Sequence, residues 1–77
     1  MIRVLLFAHL KEQFNRQELI FPHQEITVRQ LREELEKNYS LSSVSSIMIA
    51  VNEEFATDEE IIREGDVVAL IPPVSGG

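Results

Sequence analysis

The sequence predicts an α+β fold in which one main helix packs on one face of a mixed sheet of about five strands. Three observations point there. Runs rich in β-branched, aliphatic and aromatic residues open and close the chain, at positions 2–8 and 67–71. Between them lies one stretch with clear helical apolar spacing, beginning at Thr27. The chain has 77 residues, enough for one small core and little more.

Taken in order, positions 2–8 read as an inner strand. Ile2, Val4, Leu6 and Ala8 form the cleaner apolar set and are expected to face the core. Arg3, Leu5, Phe7 and His9 mix polar and apolar, which predicts an open face on that side. A polar connection over 11–17 leads to a second short strand, 18–21, ended by Pro22. Thr27 and Gln30 have the spacing of a capping box, and Ile26 with Leu31 that of a hydrophobic staple. Val28, Leu31 and Leu35 then give the helix one apolar stripe, with Glu33 and Lys37 placed as an i,i+4 pair. The helix is expected to end near Asn38, in a left-handed cap.

Positions 40–46 carry five serines around Leu41 and Val44, read as a loop tied down by those two apolar residues. Positions 47–51 form a third strand, Asn52 and Glu53 a turn, and Phe55 with Ala56 a short strand. Asp58 is expected to open a one-turn helical segment carrying Ile61 and Ile62, before Gly65 and Asp66 turn the chain into the last strand, 67–71. The helix-containing connection implies that the first and last strands lie side by side and parallel. That order of elements is the β-grasp, or ubiquitin-like, arrangement. Residues 1–71 form the domain and 72–77 a flexible tail.

Composition narrows the function. Hydrophobic residues make up 44% and charged residues 26%, a globular balance. There is no cysteine, so a disulfide framework, a thiolate metal site and a cysteine nucleophile are excluded. The net charge of −6 argues against non-specific binding to nucleic acid or an anionic membrane. The opening apolar run is too short to span a membrane and lacks a cleavage pattern, so a cytoplasmic protein is expected. Seven acids between Glu53 and Asp66, with Arg63 the one base among them, form a solvated face or a surface that steers the tail toward a basic partner pocket. His9 and His23 stand alone and read as ordinary surface or loop histidines. No catalytic triad, phosphate loop or metal-ligand spacing is present, so the chain is not expected to be a catalyst on its own.

The chemistry that remains lies at the end of the sequence. Pro72-Pro73-Val74-Ser75 leads into Gly76-Gly77. Two glycines without Cβ atoms fit a narrow channel, which suits a carboxylate that must be threaded into another protein. Neither proline carries an N–H, so the last strand cannot extend its ladder past Ile71, and their fixed φ favours a stiff, extended exit. Six residues span about 20 Å at ~3.3 Å each, enough to reach a buried site in a neighbour. A carboxylate becomes an electrophile once activated as an acyl-adenylate. A sulfur nucleophile can then displace AMP and leave a C-terminal thiocarboxylate, a reagent able to deliver sulfur.

The tail from Pro72 to Gly77, following Gly65-Asp66-Val67-Val68-Ala69, resembles that of the small sulfur-carrier subunits of molybdopterin synthase (MoaD-like). Ile2, Val4, Leu5, Phe7 and Ala8 are similar to that family's opening strand, and Ala50-Val51-Asn52 to its central hairpin. Ser75 stands where many relatives have Thr. The thiamine-pathway sulfur carrier shares the fold and the diglycine, but its tail generally lacks Pro-Pro-Val.

The resemblance implies a series of expectations. Gly77 is adenylated by a ubiquitin-activating-like adenylyltransferase that uses ATP, a sulfurtransferase supplies sulfur, and no cofactor is bound directly. The large subunit, in a heterotetramer of two small and two large chains, receives Pro72, Pro73, Val74, Ser75, Gly76 and Gly77 in its active site. There the thiocarboxylate donates sulfur to cyclic pyranopterin monophosphate, building the dithiolene of molybdopterin. An apolar patch of Phe7, Phe55 and Ile71 on the open sheet face is implied as the docking surface. Two other readings stay open: a protein modifier that joins the same activated Gly77 to a lysine, and an inert β-grasp adaptor that binds through its acidic face.

Overall fold

The computed structural model describes residues 1–41 and 44–73. Five strands form one mixed sheet in the order β2-β1-β7-β4-β5: β1 Ile2–Leu6, β2 Glu18–Phe21, β4 Met48–Val51, β5 Glu54–Phe55 and β7 Val67–Ile71. β1 and β7 run parallel at the centre, in the register Val4 to Val68 and Leu6 to Leu70. β2 pairs antiparallel with β1, and β4 antiparallel with β7. This is the expected central parallel pair.

The main helix, α2 (Val28–Asn38), begins at the anticipated capping box. The Gln30 N–H donates to Thr27 Oγ1 at 3.1 Å, and the Thr27 N–H to Gln30 Oε1 at 2.9 Å. Val28, Leu31 and Leu35 are fully buried against the sheet face made by Ile2, Val4, Leu6, Val68, Leu70, Ile49 and Val51. Phe21 fills the β2 end of this core and packs on Tyr39, which meets Phe14 edge-on at 6.0 Å between ring centroids. Leu41 is buried and Val44, in a 3₁₀ turn over Val44–Ser46, packs against the core, so both anchors of the serine-rich loop hold. Ser42 and Ser43 lie outside the described residues.

Four expectations need correction. First, β1 stops at Leu6, and Ala8 is exposed rather than in the core. Ala8 takes φ 52° and starts a second helix, α1 (Ala8–Phe14), where a polar connection was expected. Its signal is the i,i+4 pair Leu10 and Phe14, the first buried and the second half-buried. Second, Ile61 and Ile62 lie on a strand, β6 (Ile61–Arg63), and not on a helical turn. β6 pairs antiparallel with an unanticipated strand, β3 (Glu25–Thr27), so that Ile26 and Ile62 meet in a small second sheet and both are buried. Third, the left-handed residue after α2 is Ser40 (φ 53°), not Asn38. The packing of Tyr39 carries the helix past Asn38, and the Leu41 N–H then reaches back to the Leu35 carbonyl at 3.2 Å. Fourth, the ion pairs of α2 run across the fold to Glu59 and Asp58, through Arg29 and Arg32, and the Glu33–Lys37 pair does not form.

Candidate functional site

The alternation that buries one face of the sheet leaves the other uncovered. The register carries Leu5 beside Ala69, Ala69 beside Ala50 and Ala50 beside Phe55, a continuous apolar row across four strands. One step along, Ile71 pairs with Met48. Phe7 follows the last β1–β7 pair and keeps an extended backbone (φ −130°, ψ 158°), so its side chain stays on the odd-numbered face. The left-handed Ala8 then turns the chain away into α1.

Phe7, Ala50, Glu53, Phe55, Ala69 and Ile71 line a shallow depression of about 420 Å³. The two alanines make its floor, because side chains that stop at Cβ leave space between the larger groups around them. Phe7, Met48 and Phe55 are 46%, 50% and 68% exposed. A contiguous patch of large apolar side chains is what a chain keeps for contact with another protein. The structure therefore brings Phe7, Phe55 and Ile71 to one surface. Leu5 had been placed on the open face from the sequence, whereas Met48, Ala50 and Ala69 were missed; their signal was the alternation along β4 and β7, which pairs Met48 with Ile71 and Ala50 with Ala69.

The hairpin on one side of this surface is built for rigidity. Asn52 (φ 50°) and Glu53 (φ 73°) form a two-residue turn with both residues left-handed. Asn52 is also tied to β7. Its Nδ2 donates to Asp66 Oδ1 at 3.1 Å, and its Oδ1 accepts from the Val67 N–H at 3.0 Å. The Arg63 N–H donating to Asp66 Oδ2 at 2.8 Å, and the Asn52 amide, hold the Asp66 carboxyl below its usual pKa.

Arg32 ties down the segments on either side of Met48 and Phe55. From α2, its Nε donates to Asp58 Oδ1 at 2.9 Å and its Nη1 to the carbonyls of Ile47, at 2.7 Å, and Val44. Its side chain is only 17% exposed.

β7 ends at Ile71, on the rim of the apolar depression. Pro72 is half-buried, and Pro73 is exposed beside His9, Leu10, Gln13, Leu41 and Ser46. The chain thus leaves the sheet next to Phe7. Val74, Ser75, Gly76 and Gly77 lie outside the described residues. Among the described residues no group of three or more His, Asp or Glu side chains is placed to hold a metal ion, and no helix is long and apolar enough to cross a membrane.

The whole chain has relatives. It is 40% identical, over 99% of its length and 82% of the relative's, to the molybdopterin synthase sulfur carrier subunit of Arabidopsis thaliana. Among solved structures it is similar to a chain in the complex of subunits 1 and 2 of molybdopterin-converting factor from Helicobacter pylori 26695. That match has a TM-score of 0.68 and 26% identity, covering 99% of this chain and 97% of the other. The small archaeal modifier protein 1 of Methanosarcina acetivorans superposes with a TM-score of 0.75 and 25% identity, covering 99% and 95%. The family model that matches, described as the ThiS family, takes in residues 4–77. The β-grasp body, the uncovered apolar face and the tail leaving beside it are thus features of a chain that belongs to the ThiS family.

Proposed function

We propose that this chain is the sulfur carrier of a molybdopterin synthase, a reagent-bearing subunit rather than a catalyst. The observation that carries the reading is the placement of the tail. β7 runs out at Ile71 on the rim of an uncovered apolar surface, so a partner seated on that surface meets the segment beginning at Pro72. The full-length likeness to a named sulfur carrier subunit supports it.

In this reading the Gly77 carboxylate attacks the α-phosphate of ATP inside an adenylyltransferase, and pyrophosphate leaves. A persulfide on a sulfurtransferase attacks the acyl carbon, AMP leaves, and a second thiol reduces the acyl disulfide so formed to the thiocarboxylate. The resulting thiocarboxylate, inserted into the large subunit, attacks cyclic pyranopterin monophosphate through sulfur, and water cleaves the thioester so formed, leaving the sulfur on the pterin and restoring the Gly77 carboxylate. Val74 and Ser75 pass through the entry channel, and Gly76 and Gly77 occupy its narrowest part, where a Cβ would collide. Phe7, Phe55 and Ile71 seat the body on the partner while Pro72 and Pro73 set the direction of the exit. The chain's own residues supply docking, reach and a reactive end; the large subunit supplies the pocket for chemistry.

Removal of Gly77 tests this in a reconstituted system of large subunit, activating enzyme, ATP and sulfur source. Product formation is expected to stop while the β-grasp body keeps its thermal midpoint. Undiminished sulfur transfer by the shortened chain would contradict the proposal.

The likeness to a small archaeal modifier protein favours one second reading, in which the activated Gly77 is passed to a lysine. The two part at the product: a thiocarboxylate on the free chain, or a ladder of isopeptide conjugates.

A further inference from the structure

We propose that the polar depression on the far side of Phe7 is a second docking point, one that receives a carboxylate of the partner seated on the apolar face. Phe7 is a wall shared by two depressions. One is the apolar hollow described above. The other is lined by Arg3, Leu5, Phe7, Lys11 and Glu18, and it is adjoined by a third depression over Lys11, Glu12, Asn15 and Arg16. Lys11 lines both of the polar depressions.

The fold brings these cations together. Asn15, with φ 54°, ends α1 and bends the chain so that the Arg16 N–H donates to the Lys11 carbonyl at 3.3 Å. Charge pairing separates Lys11 and Arg16 from most of the other bases. Arg3, Arg29, Arg32 and Arg63 each sit within 4 Å of a carboxylate. Among the described residues Lys11 and Arg16 do not, and both are exposed. In a chain of net charge −6, two such cations make a local patch of reversed sign. It abuts the docking surface on the side opposite Glu53, which lines the apolar hollow.

A partner that only complemented the net charge would be basic throughout and would be repelled at this point. The surface instead fits a strip that runs from acid, opposite Lys11 and Arg16, through apolar, opposite Phe7 and Ile71, toward base, opposite Glu53. Such a gradient fixes one orientation of the body on its partner and so aims the tail.

The inference rests on the reading of the open face as the large-subunit interface, and the test separates the two. Binding of the full-length chain to its cognate large subunit is measured across a salt series for Lys11→Glu/Arg16→Glu, for Phe7→Asp and for Lys37→Glu. Lys37 is on α2, the helix that packs against the opposite face of the sheet, and its reversal, two of the double variant's four units of charge, controls for charge placed away from the docking face. The Lys11→Glu/Arg16→Glu chain is expected to associate about tenfold more slowly at low salt, with the deficit fading as salt rises. Its thermal midpoint should stay near that of the unaltered chain, and Lys37→Glu should show no such deficit. An association rate for the double variant equal to that of Lys37→Glu, with Phe7→Asp still weakening the complex, overturns the carboxylate site and leaves the interface standing. Unchanged binding by Phe7→Asp removes the interface itself.

Discussion

The two faces of the central sheet are made from alternate residues of the same strands, and both are apolar at their centres. Val68 and Leu70 point under α2 and are fully buried; Ala69 and Ile71, their immediate neighbours, line the open depression. The covered face carries Ile, Val and Leu, which fill the space beneath one helix. The uncovered one pairs small floors, Ala50 and Ala69, with large rims, Phe7, Phe55 and Ile71. A side chain on the first face contributes to stability by leaving water on folding. In the proposed docking, the same transfer follows on the second face when a partner covers it. The difference lies in what covers the residue, not in its polarity.

Neighbouring positions on β7 offer the sharpest contrast. Val68→Asp places an unpaired charge in the core, at a cost comparable to the whole stability of a domain this small, about 4–10 kcal/mol. Loss of the cooperative thermal transition is expected. Ala69→Asp, one residue on, should remain folded, with a loss near 1 kcal/mol by urea denaturation, and fail to bind the large subunit. If both variants unfold alike, the open face is part of the core and the contrast is wrong.

Arg32 links the faces, since it reaches from the covering helix to the Val44 and Ile47 carbonyls before Met48 and to the Asp58 side chain after Phe55. Arg32→Met removes three charge-assisted hydrogen bonds, and a loss of roughly 2–3 kcal/mol is expected by urea denaturation. Hydrogen exchange should rise locally at Ile47 and Met48. Uniform acceleration across β1 and β7 would show instead that Arg32 supports the whole sheet.

The Asn52–Glu53 turn isolates the open face from the other side. Glu53 holds a left-handed φ that glycine adopts more readily, so Glu53→Gly is expected to raise stability by about 0.5–1 kcal/mol while removing a charge from the depression. Destabilisation by this change would mean that the Glu53 side chain contributes more than its backbone costs.

The smallest effect concerns pH. Asp66 has a lowered pKa in the fold, so the unfolded chain takes up its proton first as the pH drops. Its contribution is complete above the unfolded value of about 3.9 and is lost as pH falls through the lower folded value. Asp66 is partly exposed and screened, so Asp66→Asn should flatten the acid side of a thermal-midpoint profile only slightly. An unaltered slope below about pH 4 would assign the acid sensitivity to other carboxylates.

Local codes were readable in the chain and distant pairings were not. The parity of Ile2, Val4 and Leu6, the Thr27–Gln30 box and the Val28–Leu31–Leu35 stripe each lie within one element, and the structure keeps all three. β3 and β6 have three residues each and exist only because they meet across more than thirty positions, so Ile61-Ile62 alone looked helical. α1 has two anchors, Leu10 and Phe14, too few to stand out from a polar connection. The same limit applied to the docking surface. Phe7 stood out by its place on the mixed face of β1, and the family resemblance added Phe55 and Ile71, but Ala50 and Ala69 matter only through the β4–β7 register, which neither strand encodes alone.

The most direct test of the sulfur-carrier account is the intact mass of the chain after incubation with its activating enzyme, ATP and a sulfur source. The account predicts a heavier species in which one oxygen of the Gly77 carboxylate has been replaced by sulfur, and its disappearance when large subunit and pterin substrate are added. An unchanged mass before the large subunit is added, in a mixture that then forms molybdopterin once large subunit and pterin substrate are supplied, would contradict it.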